Sequence, residues 1–212
     1  MADNEKKLKR ALSVADILKK NFELFEFEGE WYQAFGKPER RGVWLIWGDS
    51  GNGKSSFLMQ LIKELCNHAR VVFNSLEEGD GHTMQMNMIR AGMHEVSRKM
   101  ILVNESMEDL SSRLSRHKSP EVAVIDSWQY MDMSFKDFIK FKQKHSDKLL
   151  IIISQADGKK PMGRPAVSVM YDASLKIWVE GFKAFSKGRY IGPNGGEYTI
   201  YEEGAATYHG NN

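Results

Sequence analysis

The sequence predicts an α/β protein: a mostly parallel central sheet flanked by helices, with antiparallel strands added at its C-terminal end. Three observations predict it. Short apolar runs of strand length recur along the chain and alternate with stretches of helical spacing. These runs are rich in Val and Ile with little polar alternation, as in strands covered on both faces. The last quarter drops this rhythm for alternating residues around a Gly-Pro-Asn-Gly-Gly turn cluster, as in a hairpin.

Taken in order, residues 1–12 are charged and expected to fray. Ser13 and Asp16 have capping-box spacing ahead of Val14, Ile17, Leu18 and Phe22 on one face, so a helix is expected over 13–22. The aromatic, acidic stretch FELFEFEGEWYQAFGKPER then leads to the first core strand, Val43–Trp47. Further strands are expected at 70–76 (RVVFNSL), 99–104 (KMILVN), 121–127 (EVAVIDS) and 149–155 (LLIIISQ). Helices are expected between them at 55–68, 82–95, 107–117 and 134–145, and a hairpin near 192–196. With 212 residues, one well-buried core is expected. Residues 1–40 form an N-terminal helix and aromatic segment that either packs back on the domain or docks on a neighbouring subunit; residues 41–212 form the core.

Composition excludes several function classes. Lys and Arg total 30 against 28 Asp and Glu, a net charge of +2, so any nucleic-acid surface must come from local clustering. The chain start lacks the apolar core of a signal peptide, and no window approaches ~18 uncharged apolar residues. No membrane partner and a cytoplasmic location are expected. The single cysteine, Cys66, has no partner for an intramolecular disulfide, and no Cys/His cluster marks a zinc site. It reads as a buried, reduced thiol.

The chemistry begins at WLIWGDSGNGKSSFLMQL, residues 44–61. Gly48, four residues, Gly53, Lys54 and Ser55 fit G-x-x-x-x-G-K-[ST], with an apolar strand before and an amphipathic helix after. Glycines let successive backbone N–H groups turn inward around phosphate oxygens, and the following helix aims its positive end at them. The nucleotide-binding set is therefore Gly48, Asp49, Ser50, Gly51, Asn52, Gly53, Lys54, Ser55 and Ser56. Lys54 reaches the β- and γ-phosphates, and the Ser55 hydroxyl ligates Mg²⁺. ATP and Mg²⁺ are the expected cofactors.

Three strand ends supply further parts. VAVIDS places Asp126 where parallel sheets put their ligand crevice, opposite Ser55 as a second holder of Mg²⁺. VVFNSLEEGDG ends its strand in Glu77 and Glu78; Glu77 is the expected base for an attacking water, with Glu78 the alternative. LLIIISQ ends in Ser154 and Gln155, polar groups placed to contact the γ-phosphate region.

This order of motifs resembles the RecA-like ATPase core of bacterial recombinases, RadA/Sms repair proteins and DnaB-type replicative helicases, over roughly residues 40–209. NSLEEG resembles the family's catalytic-glutamate strand, VIDSWQ its Walker B strand and IIISQAD its glutamine strand. FSKGRYIGPNGGEYTIYEEG is similar to the K-x-R segment of RadA- and DnaB-type ATPases. The resemblance implies that Lys187 and Arg189 are fingers reaching a neighbouring subunit's ATP site, hence a homo-oligomer, ring or filament. It also implies DNA contacts from the loops after the Walker B and glutamine strands, WQYMDMS (128–134) and ADGKKPMGRPAVSV (156–169). The second is expected to be a mobile basic loop whose Lys159, Lys160 and Arg164 contact phosphates. Trp128 and Tyr130 are read as base-stacking or core residues. The zinc module and protease-like domain of full-length RadA, and the N-terminal helical domain of DnaB, have no counterpart here, which implies a stand-alone core of phage or mobile-element type.

The resulting expectation is an ATP-hydrolysing, RecA-like motor or recombinase-type protein acting on DNA, preferably single-stranded, as an oligomer. A nucleotide-dependent assembly or loader module, with ATP as a switch, is the alternative. A small-molecule kinase is opposed by the absence of an Arg-rich lid, and a GTPase by the absence of N-K-x-D.

Overall fold

Apolar strand residues alternate between two cores. Trp44 and Ile46 of β1 (Gly42–Gly48) face one side of the sheet, and Val43, Leu45 and Trp47 face the other. The computed structural model describes residues 10–210, so most of the expected frayed start lies outside the described residues. On the first side lie α2 (Gly29–Phe35), α3 (Lys54–His68) and α4 (His82–Arg90), while α1 (Val14–Leu18) joins neither core. On the second lie α5 (Met107–Leu114), α6 (Phe135–Lys144) and α7 (Arg164–Asp172).

The remaining strands are β2 (Val71–Ser75), β3 (Met100–Val103), β4 (Val122–Asp126), β5 (Leu149–Asp157), β6 (Lys160–Pro161), β7 (Leu175–Glu180), β8 (Lys183–Gly188) and β9 (Gly196–Thr199); a last helix, α8, spans Glu202–His209. The sheet order is β3-β2-β4-β5-β1-β7-β8-β9, with β6 attached to β5. From β3 to β7 all neighbours are parallel; β8 and β9 are antiparallel. The predicted fold class, parallel sheet and antiparallel extension alike, is the one observed. Parallel pairing puts the C-terminal ends of β1, β2, β4 and β5 on one edge, where the motif residues sit.

Several boundaries differ from expectation for identifiable reasons. The Ser13–Asp16 capping box forms as spaced, but α1 ends at Leu18 rather than residue 22. It buries none of its residues, so packing gives it nothing with which to extend. Phe22 lies beyond it, under the Arg41 guanidinium. The helix expected over 82–95 breaks at Gly92, whose φ of 65° ends α4 before a short 3₁₀ turn at Met93–Val96.

The segment 156–169 is not a mobile loop. β5 runs on to Asp157 and turns back as β6, and α7 starts at Arg164 with a proline in its first turn. Ala166 and Val169 give that helix its buried stripe, and Ala173 just after it is buried too. The aromatic segment packs on its own domain: Phe25, Phe27 and Phe35 join the core beside Trp44, and Trp31 stacks on Tyr198 of β9.

Candidate nucleotide site

Gly48 ends β1 directly against β7. A Cβ there would meet the Val179 carbonyl oxygen at 2.4 Å, so only glycine fits. Gly51 and Gly53 then adopt φ of 81° and 93°, which turns the loop back to start α3 at Lys54. Gly53 provides no side-chain cap, so the first-turn N–H groups of α3 are left for an outside acceptor. Ser55 and Ser56 are exposed at this turn.

The loop is held by the turn that follows the neighbouring strand, β7. Asn52 accepts hydrogen bonds from Gly181 N (2.8 Å, side chain) and Phe182 N (3.1 Å, carbonyl). Gly181 and Phe182 form the two-residue turn between β7 and β8, both at positive φ. A phenylalanine in that region is strained by ~1–2 kcal/mol. Its backbone partners, Asn52 O and Ile200 N, hold it there.

The neighbouring strand ends are tied together. Leu76 and Glu77 N–H both donate to the Asp126 carbonyl, at 2.7 and 3.1 Å. The Ser127 hydroxyl donates to the Glu77 carboxylate at 3.1 Å, whereas Glu78 makes no such contact among the described residues. This contact distinguishes Glu77, the expected base, from Glu78, the alternative. Burial, with the Glu77 charge adding to it, pushes the Asp126 carboxyl up to about 6, and Lys54 pulls it the other way.

Gln155 stands opposite Gly48 in the β1–β5 register. Its backbone N–H donates to Gln129 Oε1 at 3.3 Å, while Gln129 Nε2 donates to Ser154 Oγ (3.0 Å) and the Met162 carbonyl (3.2 Å). Gln129 therefore bridges the glutamine strand to the β5–β6 hairpin, a role the sequence reading missed; its only sequence signal is its place next to VIDSW. On that hairpin, Lys159 lies over the Trp178 ring at 5.6 Å and its carbonyl accepts from Trp47 Nε1; Lys160 and Arg164 are exposed. Trp128 is core, edge-on to Phe138, and Tyr130 is exposed.

No protein-family profile matches the chain, and no curated protein matches it in sequence. Solved structures do. The flagellar accessory protein FlaH from Methanocaldococcus jannaschii superposes with a TM-score of 0.58 at 15% identity, over 85% of this chain and 92% of that one. A KaiC-like protein from Pyrococcus horikoshii gives 0.58 at 17%, over 79% and 88%. The ATPase domain of a third protein gives 0.56 at 18%, over 78% and 84%. The fold is RecA-like.

Within this RecA-like fold the glycine loop, Lys54, Ser55, Glu77, Asp126 and Gln155 gather at one edge of the sheet. Lys187 and Arg189 do not. β8 runs away from the phosphate loop, Lys187 pairs in register with Lys176, and Arg189 N–H donates to the Ser174 carbonyl. From Lys183 to Arg189 the strand spans about 20 Å. Both side chains are exposed.

The residues present suit Mg²⁺ with a nucleotide. No group of three or more His, Cys, Asp or Glu among the described residues makes a metal cage, and Mg²⁺ with phosphate oxygens and water needs only one or two protein ligands. Asp126 and Ser55 are the residues at this edge that could supply them. A cleft of about 370 Å³ beside Ser56, lined by Gln60, Asn87, Arg90 and Tyr201, offers room for the nucleoside; Gln60 Oε1 is buried there without a partner.

The raised Asp126 carries a cost in the metal-free protein. Its folded pKa lies above the ordinary 3.8, so the folded state is penalised wherever the carboxyl is ionised. The penalty is complete above about pH 6 and fades as pH falls toward 3.8, and it amounts to roughly 2–3 kcal/mol. Asp126→Asn is expected to raise the melting temperature without Mg²⁺ at pH 7.5, with the gain shrinking by pH 4. Thermal unfolding at the two pH values checks this; a variant less stable than wild type at pH 7.5 would contradict it.

Proposed function

We infer that the chain is a Mg²⁺-dependent ATPase that works on DNA, single-stranded DNA above all, as a homo-oligomer, coupling hydrolysis to movement or remodelling. The observation that carries this is the division of the site. Phosphate-loop, metal and base residues meet at one edge, while the two cations of the K-x-R segment lie exposed about 20 Å down β8. Positive charge at the γ-phosphate stabilises the spread charge of phosphoryl transfer, and here a second copy is the available source.

Lys54 would hold the β- and γ-phosphates and Ser55 with Asp126 would hold the metal, whose charge would offset that developing on the phosphate oxygens. Glu77, aimed by Ser127, accepts the proton of the attacking water. Gln155, opposite Gly48 at the end of β5, would contact the γ-phosphate region, and its backbone link through Gln129 to the β5–β6 hairpin supports a path from nucleotide state to Lys159, Lys160 and Arg164. These three cations are the proposed DNA contacts. The exposed apolar side chains of α1, with Val14 at 77% and Leu18 at 81%, support a subunit contact at the N-terminus.

ATPase rate measured with and without a single-stranded oligonucleotide, alongside oligomer size, tests this reading. Stimulation of about tenfold or more is expected, with larger assemblies when ATP and DNA are both present. The same α1 surface also favours the switch reading, an assembly or loader module. ATP-driven oligomerisation of fixed stoichiometry without DNA stimulation would select it and exclude the motor.

A further inference from the structure

The opposite edge of the sheet holds a second charged feature. Arg70 precedes β2 and Ser119 precedes β4, so both lie at the N-terminal ends of strands whose C-terminal ends carry the nucleotide site, and Lys99 precedes the neighbouring β3. β2 and β4, five residues each, separate the two edges by about 15 Å. A cleft of about 300 Å³ opens here between the start of β3 and the C-terminal end of α5. Six Lys and Arg side chains and His117 line it.

Two of those cations are neutralised. Arg70 bonds Glu121 and the Ser119 carbonyl, and Arg113 is ion-paired with Glu105. The other four, Arg98, Lys99, Arg116 and Lys118, are exposed and make no ion pair among the described residues. The carboxylates within reach are thus already taken. In a chain whose cations and anions nearly balance, four unpaired cations around one cleft are a local excess.

The composition of the patch discriminates between partners. Protein interfaces centre on aromatic and apolar anchors, and the only large apolar side chain exposed here is Ile101. A phosphodiester backbone needs no such anchor, because affinity comes from released counterions, and arginine forks match phosphate oxygens. One phosphate cannot engage cations spread around the whole mouth of the cleft, whereas successive phosphates of a strand can.

We propose that the Arg98/Lys99/Arg116/Lys118 cleft is a nucleic-acid backbone site, separate from the β5–β6 hairpin and independent of bound nucleotide. It does not rest on ATP-coupled action on DNA, since the patch shares no residue with that machinery. A fluorescent single-stranded 30-mer, titrated without ATP over a range of salt, reads it. Replacing all four residues by glutamine is expected to weaken binding by about tenfold or more and to lower the log–log salt slope by about 2–3. A charge-preserving exchange (R98K, K99R, R116K, K118R) is expected to keep both the affinity and the slope.

The basal ATPase rate of each variant reports an intact fold and is expected to match wild type. An unchanged slope in the glutamine variant would overturn the proposal, as would equal loss in the charge-preserving variant. Loss of self-association with oligonucleotide binding intact would also overturn it, and would assign the cleft to an acidic protein face such as Glu23, Glu26, Glu28 and Glu30 of a second copy. A parallel variant at Lys159, Lys160 and Arg164 separates the two readings. If it alone abolishes DNA stimulation of turnover while nucleotide-free binding persists, the hairpin and cleft sites are both sustained.

Discussion

Glu77→Gln is expected to lower ATP turnover by about 10²–10⁴-fold while leaving ATP affinity within a few-fold of wild type. The amide keeps the size of the side chain and can still meet the Ser127 hydroxyl, which donates to Glu77 at 3.1 Å. It cannot accept a proton from water. Binding depends on the phosphate loop and the first turn of α3, which Glu77 does not touch among the described contacts. Glu78→Gln is the control: both glutamates are exposed, but this one lacks the Ser127 contact, so a change of less than about threefold is expected. Steady-state kinetics with a separate nucleotide-binding titration distinguishes the outcomes. A large loss in the Glu78 variant with normal turnover in the Glu77 variant would reverse the assignment.

What the sequence made legible follows from where the information resides. Strands buried on both faces are unbroken apolar runs, so β1, β2, β4 and β5 could be placed to within a residue or two, and the ends that carry Glu77, Asp126 and Gln155 came with them. The phosphate loop is local too, since its glycines and Lys54 are contiguous. The parts that escaped depend on contacts between distant residues. Gln129 has its role only because Ser154, Gln155 and Met162 fold against it. Asn52 looks like one more loop residue until the Gly181–Phe182 turn closes on it, and a phenylalanine at positive φ gives no turn signal in advance. α7 was hidden by its own start: Gly163, Arg164 and Pro165 look like loop, yet proline suits a first helical turn. α1 failed in the other direction, with a correct cap followed by an apolar face that nothing among the described residues covers.

Arg189→Ala is expected to cost about 10³-fold in turnover, and Lys187→Ala less, with nucleotide binding by the isolated chain unchanged. A point loss of this size has two explanations, a disturbed local site or a missing contribution to a neighbour's site. β8 disfavours the first, since Arg189 lies at the strand end remote from its own phosphate loop and Lys187 sits opposite Lys176. Mixing decides between them. Lys54→Ala removes the phosphate contact from its own site but leaves Arg189 to offer, while Arg189→Ala does the reverse. Each protein alone is expected to be nearly inactive. Co-assembled in equal amounts, some neighbouring pairs combine an intact Lys54 with an intact Arg189, and turnover is expected to recover to roughly a quarter of wild type if placement is random and sites act independently. A mixture as inactive as its components, despite mixed oligomers demonstrated by differential tagging, would place both residues in the same site and remove the shared-site mechanism. Recovery that appears only above the protein concentration at which oligomers form would tie hydrolysis to assembly, because each active centre would then exist only at a subunit boundary.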